Sequence, residues 1–384
     1  YEFATIQLTR NGIASFITSN KWLKSNYGET LRNYLFMNSS PIIIIDLGPG
    51  VFANTAVDTN ILIWQRKKYE GETRTAILRD SISIRDIEWS TITLKLNDLW
   101  NIDATQFLPI KNKIEKIKDR LDTLGYELDY GILTGANKTY ILNEEQANRL
   151  IMLDSKNADI IKPILRGQDL ERYSATFNKI YLLCAHNGVK KENIAPIDIE
   201  NDYPSLLPYF ESFGNKFKTR GEQGDKYYNL RNCAYIHKYE KPKIIYADIV
   251  QEQGKFFYDE DGYYTNDTAF LITGPKLKYM VGLLNSTAFS FFYKQFYCGS
   301  SLGKSGLRFK RDFLLRVPIV LGSSSEIEFI ETKVEKIYFM KKVNKAANTF
   351  TLENEIDIAV YKLYNLTYDE VLIIDPETPI TRET

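Results

Sequence analysis

With 384 residues, 44% of them hydrophobic and 26% charged, the chain has the balance of a folded protein with room for two or three domains, and too many apolar residues for intrinsic disorder. Its 49 basic and 49 acidic residues cancel, so no global field draws it to nucleic acid, and any such affinity has to come from local basic patches. Apolar runs such as residues 41–45 are too short to span a membrane, and three cysteines (Cys184, Cys233, Cys298) argue against a disulfide scaffold and fit a reducing cytoplasm.

Tyr1 lies within a helical pattern, with no initiator Met or signal sequence before it, which predicts a cut inside a longer polypeptide. Residues 12–17 read as a short apolar strand. Residues 27–37 suit a helix with Leu31, Tyr34 and Leu35 apolar, and the β-branched run Ile42 to Ile45 reads as a strand buried on both faces. Residues 57–64 supply another strand. These elements look like the tail of an α/β sheet with too few strands to stand alone, and residues 67–100 read as an irregular connection with short strands. Residues 111–124 put Ile114, Ile117, Leu121 and Leu124 on one helical face, with Gly125 at the C-cap. A second helix starts at Asn143, where Gln146 completes a capping box. Strands follow at 179–185 and 242–249, then a hairpin around Asp261-Gly262 between aromatic flanks. Residues 276–296 read as one long helix and Gly322-Ser323-Ser324-Ser325 as a hinge. Beyond it, one apolar stripe runs through Ile327, Ile330, Val334 and Ile337, and another through Leu352, Ile356, Ala359, Val360 and Leu363.

The run Ile42-Ile43-Ile44-Ile45-Asp46-Leu47-Gly48-Pro49-Gly50 has the form of the nucleotide-binding turn of S-adenosylmethionine enzymes. Such a turn works by letting the backbone approach the cofactor while a following helix offers its N-terminus. No helical pattern of useful length follows here, so the run reads as a tight turn between strands. Amino-methyltransferases also need a polar-Pro-Pro-aromatic loop to hold the target amine, and no two of the 12 prolines are adjacent. Glu331-Thr332-Lys333 has the spacing of a nuclease motif, but it falls in an amphipathic helix and reads as a solvated face. Cys184-Ala185-His186 and Cys233 with His237 are four potential zinc ligands too widely separated for the common patterns, and read as two ordinary part-buried neighbourhoods. With two histidines and no Gly-x-Ser-x-Gly, no catalytic residue and no metal site is expected in the chain.

Several phrases in order resemble one family. Phe16-Ile17-Thr18-Ser19-Asn20-Lys21-Trp22-Leu23 and Tyr27-Gly28-Glu29, with Leu31-Arg32, resemble the segment after the catalytic loop of adenine-N6 DNA methyltransferases. Ile44-Ile45-Asp46-Leu47, Val51-Phe52 and the following strand resemble that domain's closing β-hairpin. Gly131-Ile132, Thr134-Gly135, Asn137-Lys138, Ile161-Lys162-Pro163, Leu165-Arg166-Gly167, Asp169 and Arg172-Tyr173 resemble the start of a target-recognition domain. Pro242-Lys243-Ile244-Ile245-Tyr246, Asn266-Asp267-Thr268, Leu284-Asn285-Ser286 and Val317-Pro318-Ile319 continue it. Over nearly the whole chain this resembles the C-terminal part of a type IIG restriction–modification enzyme with a Taq-methyltransferase-like specificity domain.

The resemblance implies an α/β fold: terminal strands of a methyltransferase sheet, a mixed α+β recognition domain and a helical C-terminal segment. The divisions expected are 1–66 for the methyltransferase piece, 67–110 for a connection, 111–320 for target recognition and 321–384 for the helices. It also implies a cytoplasmic parent that methylates adenine with S-adenosylmethionine and cleaves DNA with a divalent metal, its cofactor loop, Pro-Pro loop and nuclease lying upstream in the same polypeptide. This chain would hold neither cofactor, be inactive alone, and choose the site on double-stranded DNA. By resemblance Phe52 stacks on the flipped adenine, replacing lost base stacking, against a plainer reading as core. Lys304, Arg308, Lys310 and Arg311, in and beyond the small-residue loop 299–306, suit phosphates and guanine edges. Lys138, Arg166 and Arg172 are further DNA candidates, with Asp169 a competing partner for the two arginines. The alternative is a specificity subunit that docks a separate methyltransferase through its C-terminal helices. That arrangement would use two recognition domains, and one is found.

Overall fold

In the computed structural model, residues 1–48, 51–52, 57–78, 87, 89–100, 102, 107–298 and 306–381 are described. Runs rich in Ile and Thr form the first sheet: β1 (Ile13–Ser19), β2 (Ser40–Gly48), β3 (Thr59–Gln65), β4 (Thr73–Ile77) and β5 (Ser90–Ile92), in the order β1-β3-β2-β4-β5. Strand β3 is antiparallel to both neighbours, and β2 and β4 are parallel. The core gathers Trp22, Leu35, Ile44, Leu62, Trp64, Leu94 and Trp100. Helix α1 (Glu29–Asn38) carries a buried Arg32, whose guanidinium donates to the carbonyls of Trp22, Ser25 and Asp98. A buried cation persists only where each donor finds an oxygen, and here it ties three segments together.

Two expectations change. The stretch read as an irregular connection with short strands does hold two, but β4 and β5 join this sheet and Trp100 enters its core. The signal was weak because the buried residues of β4 include Thr73 and Thr75. Of the isoleucine run, only Ile44 is fully buried and the other three are partly exposed. From Ile43 to Gly48 burial alternates as one side of a sheet does, instead of the strand being sealed on both faces.

A second part of the fold holds two four-stranded sheets over two cores. One runs β14 (Phe256–Asp259), β12 (Lys243–Ala247), β16 (Ala269–Thr273), β6 (Glu127–Asp129), all antiparallel. The other runs β15 (Tyr264–Thr265), β8 (Ile161–Leu165), β11 (Ile180–Leu183), β7 (Ile141–Asn143), with β15 parallel to β8. Two ribbons complete it: β9 (Leu170–Glu171) with β10 (Ser174–Ala175), and β13 (Ile249–Val250) with β17 (Leu307–Arg308). The turn at Asp261-Gly262 exists, with Gly262 at φ +79°, but it is not a hairpin. Strand β14 pairs with β12, whereas β15 pairs with β8 in the other sheet. The Asp259 carboxylate explains the crossing. It accepts from the Asp261 and Tyr263 amides at 3.0 Å each and from the ammonium of Lys243 at 2.5 Å, both side chains being fully buried.

Helix α2 (Leu108–Ile114) starts earlier and stops sooner than the apolar spacing predicts. After it, the chain turns to let the Asp119 carbonyl accept from the Ile319 amide, and the Arg120 guanidinium holds the carbonyls of Ile117 and Asp119. Ile114 and Leu121 are nonetheless fully buried, so the pattern reported burial correctly and the element wrongly. Helix α3 (Glu144–Leu153) begins at the Asn143–Gln146 capping box as expected. The long helix over 276–296 breaks into α4 (Leu277–Leu284) and α5 (Thr287–Phe292), the latter running on into a π-helical turn over Tyr293–Tyr297. Between them the Asn285 amide bonds both backbone groups of Phe256, and the Ser286 hydroxyl caps Phe289. The expected hinge is the cap of α6 (Ser324–Val343), a Ser323–Glu326 capping box. Helices α6, α7 (Phe350–Leu363) and α8 (Tyr368–Ile374) share a core with β12 and β14. At Gly282 of α4 a Cβ would stand 2.6 Å from Ile330 on α6, which is why glycine occupies that crossing. The fold class is mixed α/β with a helical C-terminal region, and no described helix is long and apolar enough to cross a membrane.

Candidate nucleic-acid interface

A cleft of about 1020 Å³ opens where four polar segments meet: the turn after β8, the loop between β13 and β14, the turn after β15, and the end of α6 with Glu353 of α7. The first turn is built around a carboxylate. Asp169, 4% exposed, accepts from the Arg166 amide at 2.8 Å, from Arg166 Nε and Nη2 at 2.9 Å each, and from the Asn178 amide group at 2.9 Å. Burial works against its charge, but the bonds from Arg166 and Asn178 outweigh it and hold the carboxyl below its ordinary value. The fork geometry fixes the guanidinium at the cleft wall.

Gly167 locks this turn to the one after β15. Its amide donates to the Thr268 hydroxyl at 2.8 Å, and a Cβ there would lie 2.5 Å from the Thr268 carbonyl oxygen. Thr268 in turn bonds the Asn266 side chain, leaving Asp267 exposed at the tip. The loop Gln251-Glu252-Gln253 leaves β13, which is held by β17.

The residues expected to touch DNA divide. Arg166 and Arg172 both line the cleft. Arg172, however, donates to the Asn285 carbonyl at 2.8 Å and pairs with Glu353 at 3.1 Å, so it also braces α7. The cation that Asp169 holds is Arg166, and Arg172 takes Glu353 instead. Arg308, on β17, pairs with Asp248 of the lining at 3.1 Å and keeps 42% of its side chain exposed. Lys310 and Arg311 are exposed just beyond it. Lys138 is exposed on the short helix Asn137–Tyr140, against the other core and outside the cleft lining. Lys304 lies outside the described residues, as do Pro49 and Gly50. Phe52 is 47% exposed, which removes the reading as ordinary core.

The cleft's charge is balanced. Arg166, Arg172, Lys255, Lys341 and Lys345 face Glu171, Asp248, Glu252, Asp267 and Glu353, five against five. Four amides, Gln168, Gln251, Gln253 and Asn266, share the lining. The basic-patch criterion therefore misses this surface, and of these amides only Asn266 stood out in the sequence, within a family phrase. The usable signal was a short polar run, Gln251-Glu252-Gln253, between strands whose residues are otherwise nearly all buried.

Elsewhere, Cys184, His186 and His237 line a separate cavity of about 430 Å³, where burial pushes the Cys184 thiol up and the His186 imidazole down. Among the described residues no group of three or more His, Cys, Asp or Glu is arranged to hold a metal. Lys333, its side chain 17% exposed, pairs with Glu355 of α7, so the residue read as part of a solvated face braces α6 against α7. The Asp46 carboxylate is 2% exposed and accepts from the Gly48 amide at 2.9 Å and from Asn20 at 3.1 Å. It shapes the end of β2.

Residues 162–319 match the TaqI-like C-terminal specificity domain, and residues 1–52 match the Eco57I restriction-modification methylase. The chain is similar to the type II methyltransferase M.BanIII of Aneurinibacillus aneurinilyticus, 24% identical over 340 residues, covering 72% of this chain and 57% of that protein. It is also similar to the type II methyltransferase M.XhoI of Xanthomonas vasicola, 21% identical over 351 residues, covering 83% and 61%. The chain thus spans 57% and 61% of the length of these two relatives. Its fold is like that of the type IIL restriction-modification enzyme MmeI, solved in complex with DNA, with a TM-score of 0.60 at 12% identity over 97% of this chain and 50% of that one.

Proposed function

We propose that this chain, the end of a restriction–modification methylase joined to a TaqI-like C-terminal specificity domain, selects the DNA sequence on which a larger cytoplasmic enzyme acts. The observation that carries the reading is a coincidence of position. The specificity-domain match at 162–319 contains the β8 turn, the β13–β14 loop and the β15 turn that make most of the cleft. A lining with balanced charge and four amides suits base edges, since Asn and Gln pair with adenine, carboxylates accept from cytosine, and arginine reads guanine. Lys310, Arg311, Lys304 and Lys138 would then serve phosphates around it, and exposed Phe52 would receive the extruded adenine.

The remaining chemistry belongs to the longer protein: adenine methylation with S-adenosylmethionine, and cleavage by a divalent-metal nuclease in the same polypeptide. The alternative, docking of a separate methyltransferase by the C-terminal helices, is less favoured because Ile330, Val334, Ile337, Ile356 and Val360 are spent on the chain's own core.

The test is selection of duplexes from a random pool. Enrichment of one short motif is expected. Gln251→Ala with Gln253→Ala should cost about 1–3 kcal/mol at individual positions of that motif with the salt dependence unchanged. Duplex binding without any enriched motif would defeat the reading.

A further inference from the structure

Beside the cleft, and sharing Ser174, Lys341 and Lys345 with it, lies a second pocket of about 230 Å³. Its walls are aromatic. Phe177 packs on Tyr263 with centroids 5.5 Å apart, and Phe257 stacks on Tyr338 at 6.4 Å. Its rim is cationic, with Lys341 and Lys342 in the last turn of α6 and Lys345 just past it. The acid in the lining is Asp261, 3.6 Å from Lys342, so the lining carries three positive charges against one negative. Lysines in a last helical turn also complement the helix dipole. That effect gives no reason for the five aromatic side chains, Tyr173 included, that line the pocket with them.

Rings under an ammonium rim complement a flat aromatic group that carries an anion. The volume is below the range of about 300–1,000 Å³ for drug-sized ligands and suits a single ring system. We propose that this pocket binds a nucleotide, its base against the Phe177, Tyr263, Phe257 and Tyr338 walls and its phosphate on Lys341, Lys342 and Lys345. Two sources share that chemistry: a free nucleotide, or an unpaired nucleotide of DNA lying in the adjoining cleft. The two lysines common to both cavities provide the route for the second. The site is separate from Phe52 in the first sheet region, and its free-nucleotide form does not rest on the cleft's reading of DNA.

Calorimetric titration with dAMP, deoxyadenosine and inorganic phosphate tests the site. A second arm compares a paired duplex with the same duplex carrying a one-nucleotide bulge. Tyr338→Leu removes a ring and keeps bulk, and should weaken dAMP binding about tenfold with little effect on its salt dependence. Lys342→Gln with Lys345→Gln should weaken it similarly and flatten the salt dependence. These lysines are exposed, so the double variant keeps the test open if Tyr338→Leu disturbs its packing on Phe257 and Tyr258. A bulged duplex that binds more tightly than the paired one, by a margin that disappears in either variant, supports the DNA-borne source. Equal binding of the two duplexes, with dAMP bound more tightly than both half-ligands, supports the free one. If dAMP binds no better than deoxyadenosine or phosphate and the bulge adds nothing, the proposal falls. It falls equally if neither variant changes any of these affinities.

Discussion

Replacing Asp169 with alanine removes the acceptor of four hydrogen bonds and the anion that holds Arg166 in its fork. Breaking a buried pair by deleting one partner costs about 3–5 kcal/mol. The Arg166 side chain keeps 30% of its surface exposed and can turn to water, so about 2–3 kcal/mol is expected for Asp169→Ala. Tryptophan fluorescence would miss most of this change, because Trp22, Trp64 and Trp100 sit in the first core and Trp89 lies next to β5 of the same sheet. Hydrogen exchange at residues 166–169 and 266–268, with thermal unfolding followed by circular dichroism, reads the affected region. The folded carboxyl is held below its ordinary value, so its contribution is present above the unfolded pKa of about 3.9 and disappears as the pH falls through the lower folded value. The stability gap between wild type and variant should therefore be full at neutral pH and close in strong acid. On DNA, the freed guanidinium should steepen the log–log salt slope by up to about 0.9 while sequence preference drops. A variant within about 0.5 kcal/mol of wild type at neutral pH, with unchanged exchange and salt slope, would refute the account of Arg166 as an oriented reader.

Neutralising Lys304, Lys310 and Arg311 together should weaken binding to all duplexes and lower the salt slope by about 0.9 for each phosphate left without its cation; unchanged affinity at low salt would make these side chains mere solvated surface. Arg308→Ala should cost about 1–3 kcal/mol on the preferred sequence and far less on others, as competition binding will read. Lys243→Ala, which strands fully buried Asp259, should cost about 3–5 kcal/mol in chemical denaturation, and a change below about 1 kcal/mol would mean the pair is not what holds the crossing turn. Calorimetric titration with S-adenosylmethionine should give no measurable heat of binding; a micromolar one-to-one isotherm would show that the β2 turn is a cofactor seat after all.

Local patterns in the chain were enough to mark what is buried and where helices begin. The stripes from Ile327 and Leu352 became the buried faces of α6 and α7, the Asn143–Gln146 box opened α3, and Ile114 and Leu121 reached the core even though their helix broke. Periodicity records burial, and a capping box is complete within four residues, so neither needs distant information. The family phrases for the recognition domain likewise fall within or near the stretch, residues 162–319, that matches the TaqI-like C-terminal specificity domain. Partner choice across the chain was decided only in three dimensions. Asp261-Gly262 carries every mark of a hairpin, yet β14 and β15 go to different sheets because Asp259 is claimed by Lys243 and by the turn's own amides. The helix over 276–296 breaks because Asn285 completes the hydrogen bonds of Phe256. The sequence offered Asp169 as a partner to both arginines, three residues on from Arg166, but could not reveal that Arg172 goes instead to distant Glu353, or that the charges of the cleft cancel. An ion pair between remote residues leaves no periodic trace in either segment, so the character of the site emerges only when the packed sheets bring both partners to one wall.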